Sequence, residues 1–229
     1  MIGTLLGSVD GETRQIFEGF TTIGKLIFYA LSTAAVLAFA WGWWKRLAKY
    51  RRGWPAKRQK RIDALYTIAS NSSIAKRDRS AGVAHFLILW GFVTLFLGTV
   101  ILTIDEDIVR LISRQFGQER SFFKGVFYVV YSLVLDTMGF AFLIALGYMA
   151  ARRWISHKPA LDYERAEKPD GGYSRRGFQR GDQLFVGLLA LILITGFLHE
   201  GLRIRASEFP DFEVWSPVGW LIAKAFSGL

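Results

Sequence analysis

The stretch Ala81–Ile104, AGVAHFLILWGFVTLFLGTVILTI, decides the fold class of this 229-residue chain. It carries no formal charge along its whole length. A helix needs roughly 20 mostly apolar residues to cross a bilayer, and this run exceeds that. A soluble helix or strand would show apolar residues at a period of 3.6 or 2, whereas here they come as a block. Three further blocks match it. Ile23–Trp44 holds one lysine near its start (Lys25) and a Trp cluster at its end (Trp41, Trp43, Trp44). Phe122–Ala151 holds Asp136 mid-span. Leu184–Ile204 holds His199, Glu200 and Arg203 in its last turns. A fifth begins at Pro217, a residue suited to a first helical turn, and reaches Leu229 after about 12 residues, short of a full crossing. The expectation is an all-α polytopic membrane helix bundle: one domain over residues 1–229, with four complete transmembrane helices and the start of a fifth.

Composition agrees. The chain is 52% hydrophobic and 15% aromatic, and it contains no cysteine. That excludes disulfides, zinc–thiolate sites and cysteine-ligated iron–sulfur clusters within these residues. No short leader with a small-residue cleavage site is evident, so the first apolar block is expected to be retained.

The formal charge of +10 raises the question of nucleic acid, and its distribution answers it. Residues 1–22 hold one Lys/Arg against three Asp/Glu; Lys45–Ser80 holds twelve against two. Asp105–Ser121 holds three against four, Arg152–Asp182 eight against five, and Glu200–Ser216 two against four. Basic segments therefore alternate, with twenty Lys/Arg on one side and six on the other. This positive-inside pattern puts the N-terminus outside and Leu229 inward. The basic excess belongs to cytoplasmic loops and lipid headgroups, not nucleic acid. Within the first basic loop, Ala56–Ala75 reads as an interfacial helix, with Ile62, Leu65, Ile68 and Ala69 at helical spacing. Tyr163–Arg180 is polar, contains Gly171-Gly172 and reads as loop. No internal repeat is present.

Three histidines are candidates for chemistry. His157 lies in a cytoplasmic loop beside Lys158 and Pro159, where a solvated imidazole is the ordinary outcome. His85 lies about one turn into the second span, where an unpaired polar group costs several kcal/mol. Its partner is either a haem iron or a polar group on a neighbouring helix. Gly82, Gly91 and Gly98 either leave space for a flat macrocycle or pack against another helix. His199 closes the fourth span near the opposite face. About 15 residues of helix, at 1.5 Å each, separate the two histidines by roughly 20 Å in depth, so one iron cannot take both. His199, Glu200 and Arg203 offer hydrogen-bond donors and a proton acceptor of the kind a quinone headgroup needs, or else face water and headgroups. Asp136 either pairs with a polar group on another helix or relays protons. No phosphate-binding glycine loop, nucleophile elbow or HExxH motif occurs, which leaves hydrolase and transferase chemistry without support.

Three stretches together carry a resemblance: AKRDRSAGVAHFLILWGFVTLFLGT (Ala75–Thr99), YSRRGFQRGDQLFVGLLALILITGFLHEGLRI (Tyr173–Ile204) and EVWSPVGWLIAKAFSGL (Glu213–Leu229). The chain resembles the N-terminal membrane region of the membrane-bound iron–sulfur oxidoreductases linked to electron-transfer flavoprotein. In that family a cytochrome b domain, similar to the gamma subunit of respiratory nitrate reductase, precedes a region like heterodisulfide reductase. The resemblance covers most of the chain and is weakest over residues 1–40. It implies five spans in a bacterial or archaeal cytoplasmic membrane, haem b in the bundle, and electrons moving between cytoplasmic iron–sulfur clusters and a quinone (menaquinone or ubiquinone). It implies that His85 is an axial ligand of an inner haem. The position of the outer-haem ligand in nitrate reductase gamma subunits is Leu95 here, which counts against an outer haem of that kind. The partner histidines and the cysteine-rich region are expected beyond Leu229, in a longer polypeptide or another chain. The resulting expectation is a haem b-containing membrane anchor of a respiratory electron-transfer complex, partnered by an iron–sulfur protein or electron-transfer flavoprotein. A haem-free anchor and a transporter or channel subunit are the alternatives.

Overall fold

The computed structural model describes residues 21–50, 58–117, 121–155 and 175–228. Among them every regular element is helical. α1 (Thr22–Tyr50) and α2 (Arg58–Ser70) are followed by a short α3 (Ser72–Ala75). α4 (Arg79–Thr103) continues through a π-helical stretch, Ile104–Arg110, into α5 (Leu111–Gln115). α6 (Gly125–Trp154) and α7 (Arg175–Ala206) come next, and a 3₁₀ segment, Asp211–Trp215, leads into α8 (Pro217–Ser227). Four helical stretches are long and apolar enough to cross a membrane: Thr22–Ala48, Arg79–Gln115, Gly125–Trp154 and Gln179–Ala206. They are those of a multi-pass membrane protein.

The boundaries differ from the sequence reading in three places. Helix does not stop at Ile104, because Asp105 turns inward instead of marking a loop. The Asp105 carboxylate accepts hydrogen bonds from Ser121 Oγ (2.7 Å), the Phe122 amide (3.0 Å) and Arg110 Nε (3.2 Å). The wider π turn at this point carries the fully buried acid. The second difference corrects the loop expected over Tyr163–Arg180: its last residues, from Arg175, are the opening turns of α7. Extending a helix already nucleated by an apolar segment costs little, and Asp182 in these turns pairs with Arg153 of α6 at 2.7 Å. Residues 163–174 lie outside the described residues. The one helix expected over Ala56–Ala75 is two: α2, with Ile62, Leu65 and Ile68 exposed, and α3, separated by Asn71 in the left-handed region at φ 50°. Ala56 and Lys57 lie outside the described residues.

The chain forms two compact units, divided between Thr67 and Ile68. In the first, Thr21 Oγ1 accepts the Gly24 amide at 3.1 Å and fixes the start of α1. Leu26, Val36 and Phe39 stand exposed along it, as side chains meeting lipid do.

The second unit is built around α6, of whose apolar window 39% is buried against 11% for α4 and α7. Lipid tails are as apolar as leucine, so close packing, not apolar burial, must hold such helices together. Glycines provide it. A Cβ on Gly91 of α4 would meet Phe142 Cβ of α6 at 2.6 Å, and one on Gly98 would run into the Leu135 side chain. The Gly98 carbonyl also accepts Tyr131 Oη at 3.0 Å. Gly82 is closed by Ala75 at 2.5 Å. Of the two readings of these glycines, the structure supports packing. Phe142, Leu146 and Leu193 form the centre of the core, with Ile88, Leu95 and Leu189 against it. α8 folds back along α7 through a second reciprocal pair. A Cβ on Gly201 would meet Ile222 at 2.5 Å, and one on Gly219 would meet Glu200 Cγ at 2.8 Å. Ile204 and Ala223 are fully buried in that seam.

Candidate functional site

Two ends of this unit carry polar side chains. At the basic end, Asp78 accepts the Ala81 amide at 3.1 Å and so caps α4. It also pairs with Arg152 of α6, which donates to Ser80 Oγ at 2.6 Å. The guanidinium, followed by the Ser80 hydroxyl, holds the Asp78 carboxyl well below the usual carboxylate range. This clamp sets the register of α4 against α6, as Arg153–Asp182 sets that of α6 against α7.

With those registers fixed, His85 lies at about the depth of Leu146 and Leu189. It is half-buried, and among the described residues no hydrogen bond reaches its imidazole. One turn further, Ile88 packs on the core cluster. At the same depth, a cavity of about 430 Å³ opens between α6 and α7. Leu146, Gly147, Ala150, Val186, Gly187 and Ala190 line it. A Cβ on Gly147 or Gly187 would meet nothing within 4 Å, so these glycines, unlike those of α4, border open space. The described residues contain no group of three or more His, Asp or Glu side chains able to hold a metal ion. His85, on α4, is not among the residues that line this apolar groove. Its imidazole could give a haem iron one nitrogen ligand, and any further ligand would come from another element.

At the opposite end, one face of α6 carries Tyr128, Ser132 and Asp136 at i, i+4 and i+8, all buried. Each meets the segment that leads into α8. Tyr128 Oη donates to Glu213 Oε1 at 2.8 Å. The Ser132 and Ser216 hydroxyls share a very short hydrogen bond. Asp136 accepts the amides of Val218 (2.7 Å) and Gly219 (3.2 Å). Those amides belong to the first turn of α8, where helical N–H groups lack intrahelical partners and the helix dipole favours an anion. Of the two readings of Asp136, pairing with another element is realised, to backbone and not to a side chain.

Arg203 ties α7 into this set. It donates to Glu213 Oε1 (2.7 Å), to Glu200 Oε1 (2.7 Å) and weakly to Tyr128 Oη (3.4 Å). Of the three residues grouped at the end of the fourth span, Glu200 and Arg203 are brought together. His199 is exposed and makes no hydrogen bond among the described residues. His157 lies outside the described residues. The residue missed from sequence is Glu213, 1% exposed, whose second oxygen is buried with no hydrogen-bond partner among the described residues. Its acidity looked like one more loop charge. The polar repeat Tyr128–Ser132–Asp136 inside an apolar block was the legible signal that a polar partner segment existed.

The fold and the site define a multi-pass helical membrane protein with a buried charged network. The chain is 26% identical over 238 residues to the EtfAB:quinone oxidoreductase of Syntrophomonas wolfei, covering 98% of this chain and 30% of that protein. It is 23% identical over 184 residues to the probable iron–sulfur-binding oxidoreductase FadF of Bacillus subtilis, covering 78% of this chain and 23% of that protein. The chain thus spans less than a third of the length of these curated relatives. No family model and no solved structure matches it. The similarity is to oxidoreductases of electron transfer, and it supports an oxidoreductase-associated role.

Proposed function

We propose that this chain is the membrane anchor and electron conduit of a quinone-linked oxidoreductase, with His85 as one axial ligand of a haem b. The observation that supports the reading is the His85 imidazole, half-buried within an apolar helix and without a hydrogen bond among the described residues. An orphaned polar group there costs several kcal/mol unless something binds it. A haem held by His85 would supply one-electron transfer across the bilayer interior. The chain's own residues then do the rest. Leu146, Val186 and the glycines of the groove exclude water and admit a flat apolar group. Glu200 and Arg203, with Glu213, present hydrogen-bonding groups and a proton acceptor to a quinone headgroup at the other end; His199 is exposed on the lipid side of the same helix.

The positive-inside pattern puts the Asp78–Arg152 end in the cytoplasm and the N-terminus outside. An iron–sulfur protein or domain, or an electron-transfer flavoprotein, is the proposed cytoplasmic partner, a reading supported by the names of the two relatives. The tight packing of Gly91 and Gly98 favours, as a second reading, a haem-free anchor of the same complex.

Absorption spectra separate the two. The purified full-length protein should show Soret and α bands of a b-type haem, shifted or lost in His85→Ala. A protein without these bands or bound iron, or spectra unchanged in His85→Ala, overturns the haem assignment.

A further inference from the structure

α8 carries a lysine, Lys224, at a depth where an ammonium needs a partner. Gly201 of α7 is closed by Ile222 and the Ala223 amide of α8; Gly139 of α6 faces Phe197 of α7, one turn before Gly201. Because α8 runs back along α7, Lys224 lies between these two levels, close to Gly139 at the midpoint of the 30-residue α6. The hydrocarbon core is about 30 Å thick, so water is about 15 Å away on either side. Lysines snorkel to water from helix ends, not from such a position. Yet Lys224 is exposed on the described bundle, outside the α7 seam that buries Ala223. Its ammonium lies 5.7 Å from the centre of the Trp220 ring, one turn back. That cation–π contact stabilises the charge without neutralising it. Among the described residues no carboxylate pairs with it: Asp136 accepts the Val218 and Gly219 amides, and Glu200 is paired with Arg203.

We propose that this face of α8 docks a further transmembrane helix that carries a carboxylate, with which Lys224 forms an intramembrane ion pair. Charged side chains within spans face a bundle interior and pair with one another there. An ammonium in hydrocarbon selects an acid as that partner. The surroundings of Lys224 suit a helix. Ala225 and Gly228, at i+1 and i+4, are small and exposed, and a Cβ on Gly228 would meet nothing nearer than the Ala225 carbonyl at 3.9 Å. Small residues let two helix backbones approach closely. Leu221, 67% exposed and three residues back, offers apolar contact on the same face. A second copy of these spans does not fit as the partner. Its acids nearest this depth, Asp136 and Glu200, are already engaged, and two facing lysines repel. The docked helix therefore belongs to a part of the complex other than these segments. The pairing rests on neither the haem nor the quinone assignment.

The test uses the full-length protein with its partners in native membranes. Dicyclohexylcarbodiimide partitions into the hydrocarbon and activates carboxyl groups there; the Lys224 amine then takes the acyl group as an amide, and the urea leaves. Peptide mapping by mass spectrometry should find Lys224 joined to an Asp or Glu in an apolar segment outside residues 1–229. In detergent, Lys224→Met should shorten the lifetime of the assembled complex about tenfold or more, because the partner acid is left as a buried charge. Lys224→Arg, which keeps the cation, should preserve it. Lys224→Glu should lose assembly, and changing the mapped acid to Lys in the same complex should restore it. An amide to a haem propionate or to an acid of residues 1–229, no amide from Lys224 at all, or a wild-type lifetime in Lys224→Met overturns the docking face. Each of these leaves the electron-transfer reading standing.

Discussion

The Asp136 carboxylate lies 2.7 Å from the Val218 amide, so an acid in the middle of one apolar helix caps the first turn of another 82 residues away. A helix N-terminus buried in an apolar bundle has no water to satisfy its free N–H groups. Asp136 satisfies two of them and places its negative charge at the positive end of the α8 dipole.

Asp136→Ala should therefore loosen α8 from the bundle, at a cost of about 1–2 kcal/mol for the lost cap. Asp136→Asn, which retains one acceptor, should cost less. Thermal unfolding in detergent, followed by the near-ultraviolet signal of Trp220, reads both.

The α7–α8 seam gives a steric prediction. Gly201→Val would force side-chain atoms into Ile222 and toward the Ala223 amide, only 3.2 Å from a Cβ at that position. Overpacking of this kind costs about 1–3 kcal/mol. Gly187→Val meets open space in the groove and should be nearly neutral for folding. Comparing the two by resistance to proteolysis near residues 207–216 separates helix docking from general intolerance of larger side chains.

Arg203 bonds both Glu200 and Glu213. Arg203→Leu leaves Glu213 as a buried charge without its cation, and breaking such a pair costs about 3–5 kcal/mol. Adding Glu213→Gln should recover part of the loss, because the orphaned charge is gone. A double-mutant cycle on unfolding midpoints checks the sign of that coupling.

The Asp78 clamp predicts a pH dependence. Its folded carboxyl is held below its ordinary value by Arg152, so the stabilisation is full above the ordinary carboxylate range, near about 4. It is lost as pH falls below that range toward the depressed folded value. Wild type and Asp78→Asn should thus differ in stability by a constant amount between about pH 5 and 8. The difference should shrink on further acidification. A difference that vanishes already near neutrality would contradict the ion pair.

Much of the fold was readable because its rules are local. Ala81–Ile104 had to be a spanning helix: in lipid every backbone amide must be satisfied within its own segment. Pro217 marked the start of α8 for a local reason too, its missing N–H at a position that needs none. The extension of helix to Gln115 was not readable, because it depends on Asp105 finding Ser121 and Phe122 across a turn. Nor was the start of α7 inside a polar segment, where the Arg153–Asp182 pair holds the end. In the site, His85 stood out by its depth alone. His199, Glu200 and Arg203 stood out together at the end of the fourth span, but among the described residues only Glu200 and Arg203 join, and His199 is exposed.

By itself the sequence determined which segments are apolar enough to cross, where their ends lie to within a few turns, and that His85 and Asp136 lie within such segments. Hydropathy and helical rise are properties of contiguous residues, so no partner is needed to read them. Only the tertiary structure decided what those polar groups face. Tyr128 meets Glu213 across 85 residues, Ser132 meets Ser216 across 84 and Asp136 meets Gly219 across 83. Such pairings depend on how two helices rotate and slide against each other, and glycine contacts as tight as Gly201 on Ile222 fix that rotation. A side chain's own neighbours in sequence do not contain that information.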